Sequence, residues 1–186
     1  MKFFVACSLV LSSLLSSCVA VAVVGAAAGI IVYDKRTISV IENDTRIFHN
    51  INTAIVKDPR FHNSRVEVIS FNQIVLLVGQ VPSAATKLVA ERVAQQTPRV
   101  TRVYNELTVG YPLNLTQRAQ DSLLTGEMRS RMLNKKGLES GSIRVVTENA
   151  VVYLMGVVTH EQADLAVMVA RQVNGVRKVI KIFRYI

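Results

Sequence analysis

The chain of 186 residues contains no tryptophan, two cysteines, three histidines and four prolines, and aromatic residues make up 6% of it. Each scarcity removes a class of function. Cys7 and Cys18 both lie in the first 18 residues. Everything after them therefore lacks a thiol for a nucleophile, a zinc–cysteinate site or a structural disulfide. His49, His62 and His160 are scattered without metal-ligand spacing. No glycine-rich phosphate loop, GxSxG or HExxH motif occurs. Carboxylates such as Glu148 and Glu161 form no pair visible in the sequence and read as solvated surface charge. The expectation is a protein that is not an enzyme, with no metal, no dissociable cofactor and no small-molecule substrate.

Charge is scarce at one end. Between Met1 and Tyr33 the only charged residue is Lys2, which is followed by an apolar run reaching Leu14-Leu15. This is the layout of a secretory signal. Leu15-Ser16-Ser17-Cys18 follows: a large aliphatic residue, two small residues and a cysteine. It resembles the bacterial lipobox, in which the thiol is acylated and the chain is cut just before it. Residues 1–17 are thus expected to be a signal peptide. Cys18 is the expected lipid anchor, carrying a covalent diacylglycerol and an N-terminal fatty acyl group, and 18–41 the tether. The alternative is an uncleaved anchor helix, since Phe3 to Tyr33 is uncharged and about 20 apolar residues suffice to span a bilayer. Ser12, Ser13, Ser16, Ser17, Gly25 and Gly29 interrupt that run.

What the remainder does contain is a repeat. Val75-Leu76-Leu77-Val78-Gly79 recurs 77 residues later as Val152-Tyr153-Leu154-Met155-Gly156. A β-rich run precedes each, Arg65–Ile69 and Ser142–Val146. A helical stretch follows each, 84–97 and 160–173, and then a further strand-like run, 100–109 and 176–186. A helix precedes each unit, over 45–57 and 122–135. Ile47, Ile51 and Ile55 share one face of the first of these helices, as Leu124, Met128 and Met132 do in the second. Phe71-Asn72-Gln73 and Glu148-Asn149 are expected as the turns, and Gly79 and Gly156 are expected where the second strand ends and swings into a crossover. Thr159-x-x-Gln162 has the spacing of a capping box. One unit reads α-β-β-α-β, with the open face of its sheet in need of cover. Such units are small enough to be marginal alone.

A doubled αββαβ unit with a glycine after its second strand resembles the BON domain, and two in tandem behind a lipobox resemble the dual BON-domain lipoproteins of Gram-negative bacteria. The pieces that carry the likeness are Cys18-Val19-Ala20, Val75–Gln80, Val103-Tyr104-Asn105-Glu106, and Val146–Asn149 with Leu154–Thr159. The fold class expected is α+β: two tandem BON domains, 42–112 and 121–186, joined by a linker at 113–120. Each should be a three-stranded mixed sheet with two helices on one face. The resemblance implies an outer-membrane lipoprotein facing the periplasm and supporting envelope integrity. It further implies a second domain that binds anionic phospholipid through its first helix, and a protein that gathers at division sites. Val19 is not the aspartate that would retain such a protein in the inner membrane. Leu123 stands where the family has an exposed tryptophan, which removes the interfacial preference of an indole.

The residues themselves bear on lipid contact. On a helical wheel Leu124, Met128 and Met132 face the sheet, while Leu123 and Leu133 fall roughly opposite. Arg129 and Lys136 flank them, with Arg131 and Lys135 nearer the core. Apolar anchors amid cations suit a helix lying on an anionic membrane surface. The candidate phospholipid-binding residues are Leu123, Gly126, Arg129, Leu133 and Lys136. Charge agrees: residues 113–186 hold 11 Lys+Arg against 6 Asp+Glu, and 42–112 hold 8 against 6. Solvated charge and leucines packed on the first domain are the plain alternatives. Nucleic acid is an unlikely match for the net charge of +9, because export removes that partner and aromatics are too few to stack bases. The rival reading is a module that docks on envelope proteins, such as the β-barrel insertion machinery or cell-wall enzyme regulators, through uncovered sheet faces.

Overall fold

The computed structural model describes residues 36–186. The signal peptide, Cys18 and most of the tether lie outside the described residues. Helix α1 spans Ile38–Lys57, capped by the Thr37 side chain, and buries Ile47, Ile51 and Ile55. It stops at Asp58, whose successor is Pro59, because proline disfavours the helical region for the residue before it. Strands β1 (Arg65–Phe71) and β2 (Ile74–Val81) form an antiparallel hairpin. Helix α2 (Ala84–Gln95) returns the chain to β3 (Arg102–Asn105) and β4 (Thr108–Val109), which pair parallel with β2 as two segments of one interrupted strand.

The second unit repeats this order. Helix α3 spans Leu115–Asn134, β5 Ile143–Glu148, β6 Val151–Val158, α4 His160–Arg171 and β7 Lys178–Tyr185. Its sheet has the order β5-β6-β7, with β5 antiparallel and β7 parallel to the central strand. Both domains are therefore αββαβ, with a mixed sheet and helices on one face.

Two differences from the sequence reading concern helix starts. α1 begins at Ile38, inside the stretch taken as tether. α3 begins at Leu115, so most of 113–120 is helix rather than linker. Asn114 caps it in a full capping box, its side chain accepting from Gln117 N while Gln117 accepts from Asn114 N. At Thr159 only half of the expected box forms. Thr159 accepts from Gln162 N at 3.2 Å, but the Gln162 amide donates to Gly137 O and its oxygen accepts from Glu139 N.

The hairpin turns are held by a device that occurs in both domains. Asn72 and Gln73 have φ of 52° and 63°, and Asn149 and Ala150 have 51° and 58°. Two successive positive φ values define the tight turn that matches strand twist. Asp44, buried on α1, accepts from the N–H groups of Asn72 and Gln73, each at 2.8 Å. Asp121, 77 residues on and buried on α3, accepts from Asn149 and Ala150 at 2.7 and 2.8 Å. Helix and hairpin are locked together by a carboxylate each time. The repeated glycines also have a specific cause, and it is not a strand end. Gly79 and Gly156 sit inside β2 and β6, where an added Cβ would lie 2.0 Å from Arg65 O and 2.7 Å from Ser142 O.

Each domain has a core between its helices and one sheet face. Val75, Leu77 and Val81 pack with α1 and α2 residues in the first, and Val152, Leu154 and Val158 with α3 and α4 residues in the second. The other sheet faces meet each other. Ile69, Phe71, Ile74, Leu76 and Val78 of the first domain share a third core with Val146, Tyr153, Met155 and Ile182 of the second. This explains why β2 is buried along its whole length and reads as a continuous apolar run. The cover that each sheet needed is its sibling.

At the edge of this shared core lies a polar cluster. Glu148, expected in solution, is 5% exposed. Its oxygens accept from Arg65 Nη1 (2.7 Å to each) and from Gln80 Nε2 at 2.7 Å, and Gln80 Oε1 accepts from Leu113 N at 3.0 Å. The correction has a physical reason. Its donors come from 83 and 68 residues away, so no local pattern betrays the burial. Glu161 is exposed, as expected.

Candidate functional site: the outer face of helix α3

Helix α3 presents its two faces as the wheel predicts. Met128 and Met132 are fully buried and Leu124 is half-buried against the same core. Leu123 and Leu133 project into solvent, 74% and 40% exposed. Gly126 lies between them on the exposed side, with nothing within 4 Å of an added Cβ. Neither leucine is taken up by the first domain, so packing there does not account for them.

The longer helix adds an exposed leucine that the sequence reading missed. Leu115 is 77% exposed. It stands five full turns from Leu133, hence on the same side of the helix and about 27 Å along the axis. The signal that points to it is the Asn114-x-x-Gln117 box, which sets the helix start before Leu115. Ala119 and Gly126 fall on the same side, giving a low-relief apolar strip with leucines standing out from it.

The cations divide into two groups. Arg131 pairs with Glu127 at 2.7 Å and reaches Gln172 O, so it does not belong to the flanking set. Lys135 is the C-cap and half-buried. Arg118 and Arg129 lie along one flank of the strip and Lys136 lies past the helix end, beyond the extended C-cap Lys135, and among the described residues none has a carboxylate partner. Arg129 bends off the helix to donate to Val145 O at 3.3 Å. Desolvation, with Arg144 nearby, holds its pKa below the usual guanidinium value.

Beside this flank runs an open groove of about 640 Å³ between α3, β5 and the start of β1. Arg65, Arg118, Arg129 and Arg144 line it, with Glu67, Asp121 and Glu148. The carboxylates are engaged by Arg65, by Gln80 and by the hairpin N–H groups. No cluster of three or more His, Cys, Asp or Glu side chains able to hold a metal occurs among the described residues. No helix among them is long and apolar enough to cross a membrane.

A doubled αββαβ chain with its sheets back to back and one helix face left apolar and cationic defines a class, and comparison with known proteins agrees with it. The BON domain matches residues 43–111 and 120–186. The chain belongs to the BON-domain family, with two copies of the domain.

Among whole proteins it is similar to the outer membrane lipoprotein DolP of Haemophilus influenzae. That likeness is 36% identity over 174 residues, covering 92% of this chain and 90% of that protein. It is 34% identical over 144 residues to the 21 kDa hemolysin of Actinobacillus pleuropneumoniae, covering 77% and 72%. Osmotically-inducible protein Y of Escherichia coli is 29% identical over 140 residues, covering 74% and 70%. The chain is a DolP-type outer-membrane lipoprotein with two BON domains.

Proposed function

We propose that this lipoprotein acts without catalysis, faces the periplasm, and binds anionic phospholipid through the outer face of α3, supporting outer-membrane integrity. The observation that carries the proposal is the strip Leu115, Leu123 and Leu133 with Arg118 and Arg129 on its flank and Lys136 just past the helix end. A leucine moved wholly from water to an apolar medium is worth about 1.5–3 kcal/mol, and each cation at an anionic surface adds about 1 kcal/mol. Partial insertion of three leucines plus three cations gives a weak but useful attraction. Attachment through Cys18 raises the local concentration of the membrane surface, so weak contact suffices. The covalent acyl groups on Cys18 are the only prosthetic chemistry in this reading.

Comparison of the two domains supports the choice of the second. Ile38 and Val56, 77 residues before Leu115 and Leu133, are also exposed on α1, at 85% and 70%. The arginines there are bound to carboxylates: Arg36 to Asp44, Arg46 to Glu42 and Arg60 to Asp58. The first domain has the apolar positions with these arginines paired, which leaves Lys57 in the last turn of α1 as the helix cation without a carboxylate partner among the described residues. Gathering at division sites follows, in this proposal, from a preference for lipid composition and not from a dedicated contact. The rival reading, docking on envelope proteins through open sheet faces, loses its surface because those faces pack on each other.

The test is vesicle sedimentation with residues 34–186, which begin inside the compact unit Val32–Ile186. They should pellet with vesicles containing phosphatidylglycerol and stay in solution with phosphatidylcholine alone. Leu123→Asp with Leu133→Asp should abolish pelleting. Unchanged pelleting of the double variant would remove α3 from the proposal.

A further inference from the structure

The second domain leaves one strand edge open where the first domain's counterpart is broken. Strand β7 pairs with β6 along all eight residues, Lys178–Tyr185, and with no other strand among the described residues. In the first domain the matching stretch is split into β3 and β4 at Glu106-Leu107. No side chain among the described residues bonds to the backbone of β7. The opposite edge of the same sheet is partly capped, since Val145 O of β5 accepts from Arg129. An open edge of eight residues presents a row of unpaired N–H and C=O groups over about 26 Å.

Charge marks the same edge. Residues 171–186 hold five cations, Arg171, Arg177, Lys178, Lys181 and Arg184, and no carboxylate. Lys178, Lys181 and Arg184 are exposed, and among the described residues none is paired with a carboxylate. Lys181 shares a face of β7 with Val179 and Phe183, which pack on the second domain's core. Lys178 and Arg184 share the other face with Ile180 and Ile182, which join the shared core. Cations at every third position therefore guard both faces of the edge. They oppose pairing with a second copy of β7, because like charges would meet across the strands. A strand of opposite charge meets no such barrier. The edge also stays open when the α3 strip is occupied: α3 packs on β5 and α4 on β7, at opposite edges of the sheet.

We infer that the free edge of β7 is a docking site for an extended acidic segment of another protein, which joins the sheet as a fourth strand. Main-chain hydrogen bonds supply the attraction, and carboxylates opposite Lys178, Lys181 and Arg184 set the register and the choice of partner. The segment that fits has an acidic residue at every third position and β-branched residues between. The site is separate from the α3 surface and does not depend on lipid contact there. It is separate also from the sheet faces, which are buried between the domains.

The experiment follows backbone amide exchange by NMR on the lipidated full chain in neutral detergent micelles. The probe is an eight-residue peptide of valine and threonine with glutamate at its second, fifth and eighth positions. Antiparallel pairing sets those glutamates opposite Arg184, Lys181 and Lys178. A control peptide carries lysine at the same three positions. The glutamate peptide should slow exchange at alternate residues of β7 and leave β3 unchanged, and the lysine peptide should affect neither strand. Lys181→Glu should weaken binding of the glutamate peptide by about tenfold or more. Lys57→Glu, an equal charge reversal at an exposed position on α1, should change it by less than about twofold. Equal binding of the two peptides, or equal effects of the two variants, would overturn the acidic partner. No response to either peptide, or slowed exchange confined to α3 or β1, would overturn the edge site. Protection of β7 that grows with protein concentration alone would give the edge to a second copy of the chain and overturn the proposal too.

Discussion

The Arg65–Glu148 pair bridges the two domains at the edge of their shared core, and its energy can be worked from the geometry. Glu148→Ala removes both 2.7 Å contacts to Arg65 and the 2.7 Å acceptor of the Gln80 amide. Breaking a buried ion pair from one side costs about 3–5 kcal/mol. Arg65 keeps its 3.1 Å contact with Glu67, and its side chain is 22% exposed, so part of that cost is relieved by water and by the second carboxylate. The orphaned Gln80 donor adds about 1 kcal/mol at the low end of the range for a buried unsatisfied group. A loss of about 3 kcal/mol follows. Arg65→Ala should cost a similar amount, since it strands a buried carboxylate. The double variant strands neither charge and should cost about 4 kcal/mol, leaving a coupling of about 2 kcal/mol across the interface. Urea unfolding followed by far-ultraviolet circular dichroism gives all four corners of the cycle, and the shared core predicts one transition in each. Additive single effects, within about 0.5 kcal/mol, would refute the coupling. Two separate transitions, only one of them moved by the substitution, would refute the shared core.

Three further outcomes follow from the fold. Asp121→Ala strands the N–H groups of Asn149 and Ala150 in a turn with two positive φ values, and should lower stability by about 2–4 kcal/mol in the same urea assay. Gly79→Ala forces a Cβ to within 2.0 Å of Arg65 O at a φ of +121°, and should yield far less folded protein on expression and a large fall in melting temperature. Tyr153 supplies a pH dependence. Burial, with Glu106 and Glu148 adding, pushes its phenol up to about 12, against an ordinary value of 10.0. The unfolded chain releases the proton at lower pH than the folded one. The stability tied to this group is therefore complete below pH 10 and is lost between about pH 10 and 12. About 2–3 kcal/mol should disappear across that window, and Tyr153→Phe should flatten that part of the profile.

Much of the fold was legible because it is written twice. The 77-residue repeat aligned Ile47, Ile51 and Ile55 with Leu124, Met128 and Met132, and both sets face a core. The α-β-β-α-β layout showed that each sheet had a second face to cover, though not that Tyr153 and Met155 of the second domain would cover that of the first. Helix starts were harder. The first turns of α3, Leu115-Thr116-Gln117-Arg118, carry no apolar periodicity because they project beyond the core, so only the Asn114 cap marks the boundary. At the candidate site Leu123 and Leu133 were visible from the wheel because exposure on a straight helix is a matter of angle alone. The groove was not, since Arg65 and Arg144 reach it from strands of different domains. Glu148 was misjudged for the same reason. Contacts made across the chain leave no trace in spacing.

The central claim is that the α3 strip lies in the lipid interface, and the absence of cysteine after Cys18 makes it directly measurable. Single cysteines at 115, 123 and 133, spin-labelled on residues 34–186 with no competing thiol, report oxygen accessibility on vesicles containing phosphatidylglycerol. A label at 88 on α2, where Leu88 is 54% exposed, serves as reference. The account predicts that accessibility to oxygen rises, and to a water-soluble relaxant falls, at 115, 123 and 133 when vesicles are added, with no change at 88. Labels at 115, 123 and 133 that stay as open to the water-soluble relaxant on vesicles as in buffer would contradict it.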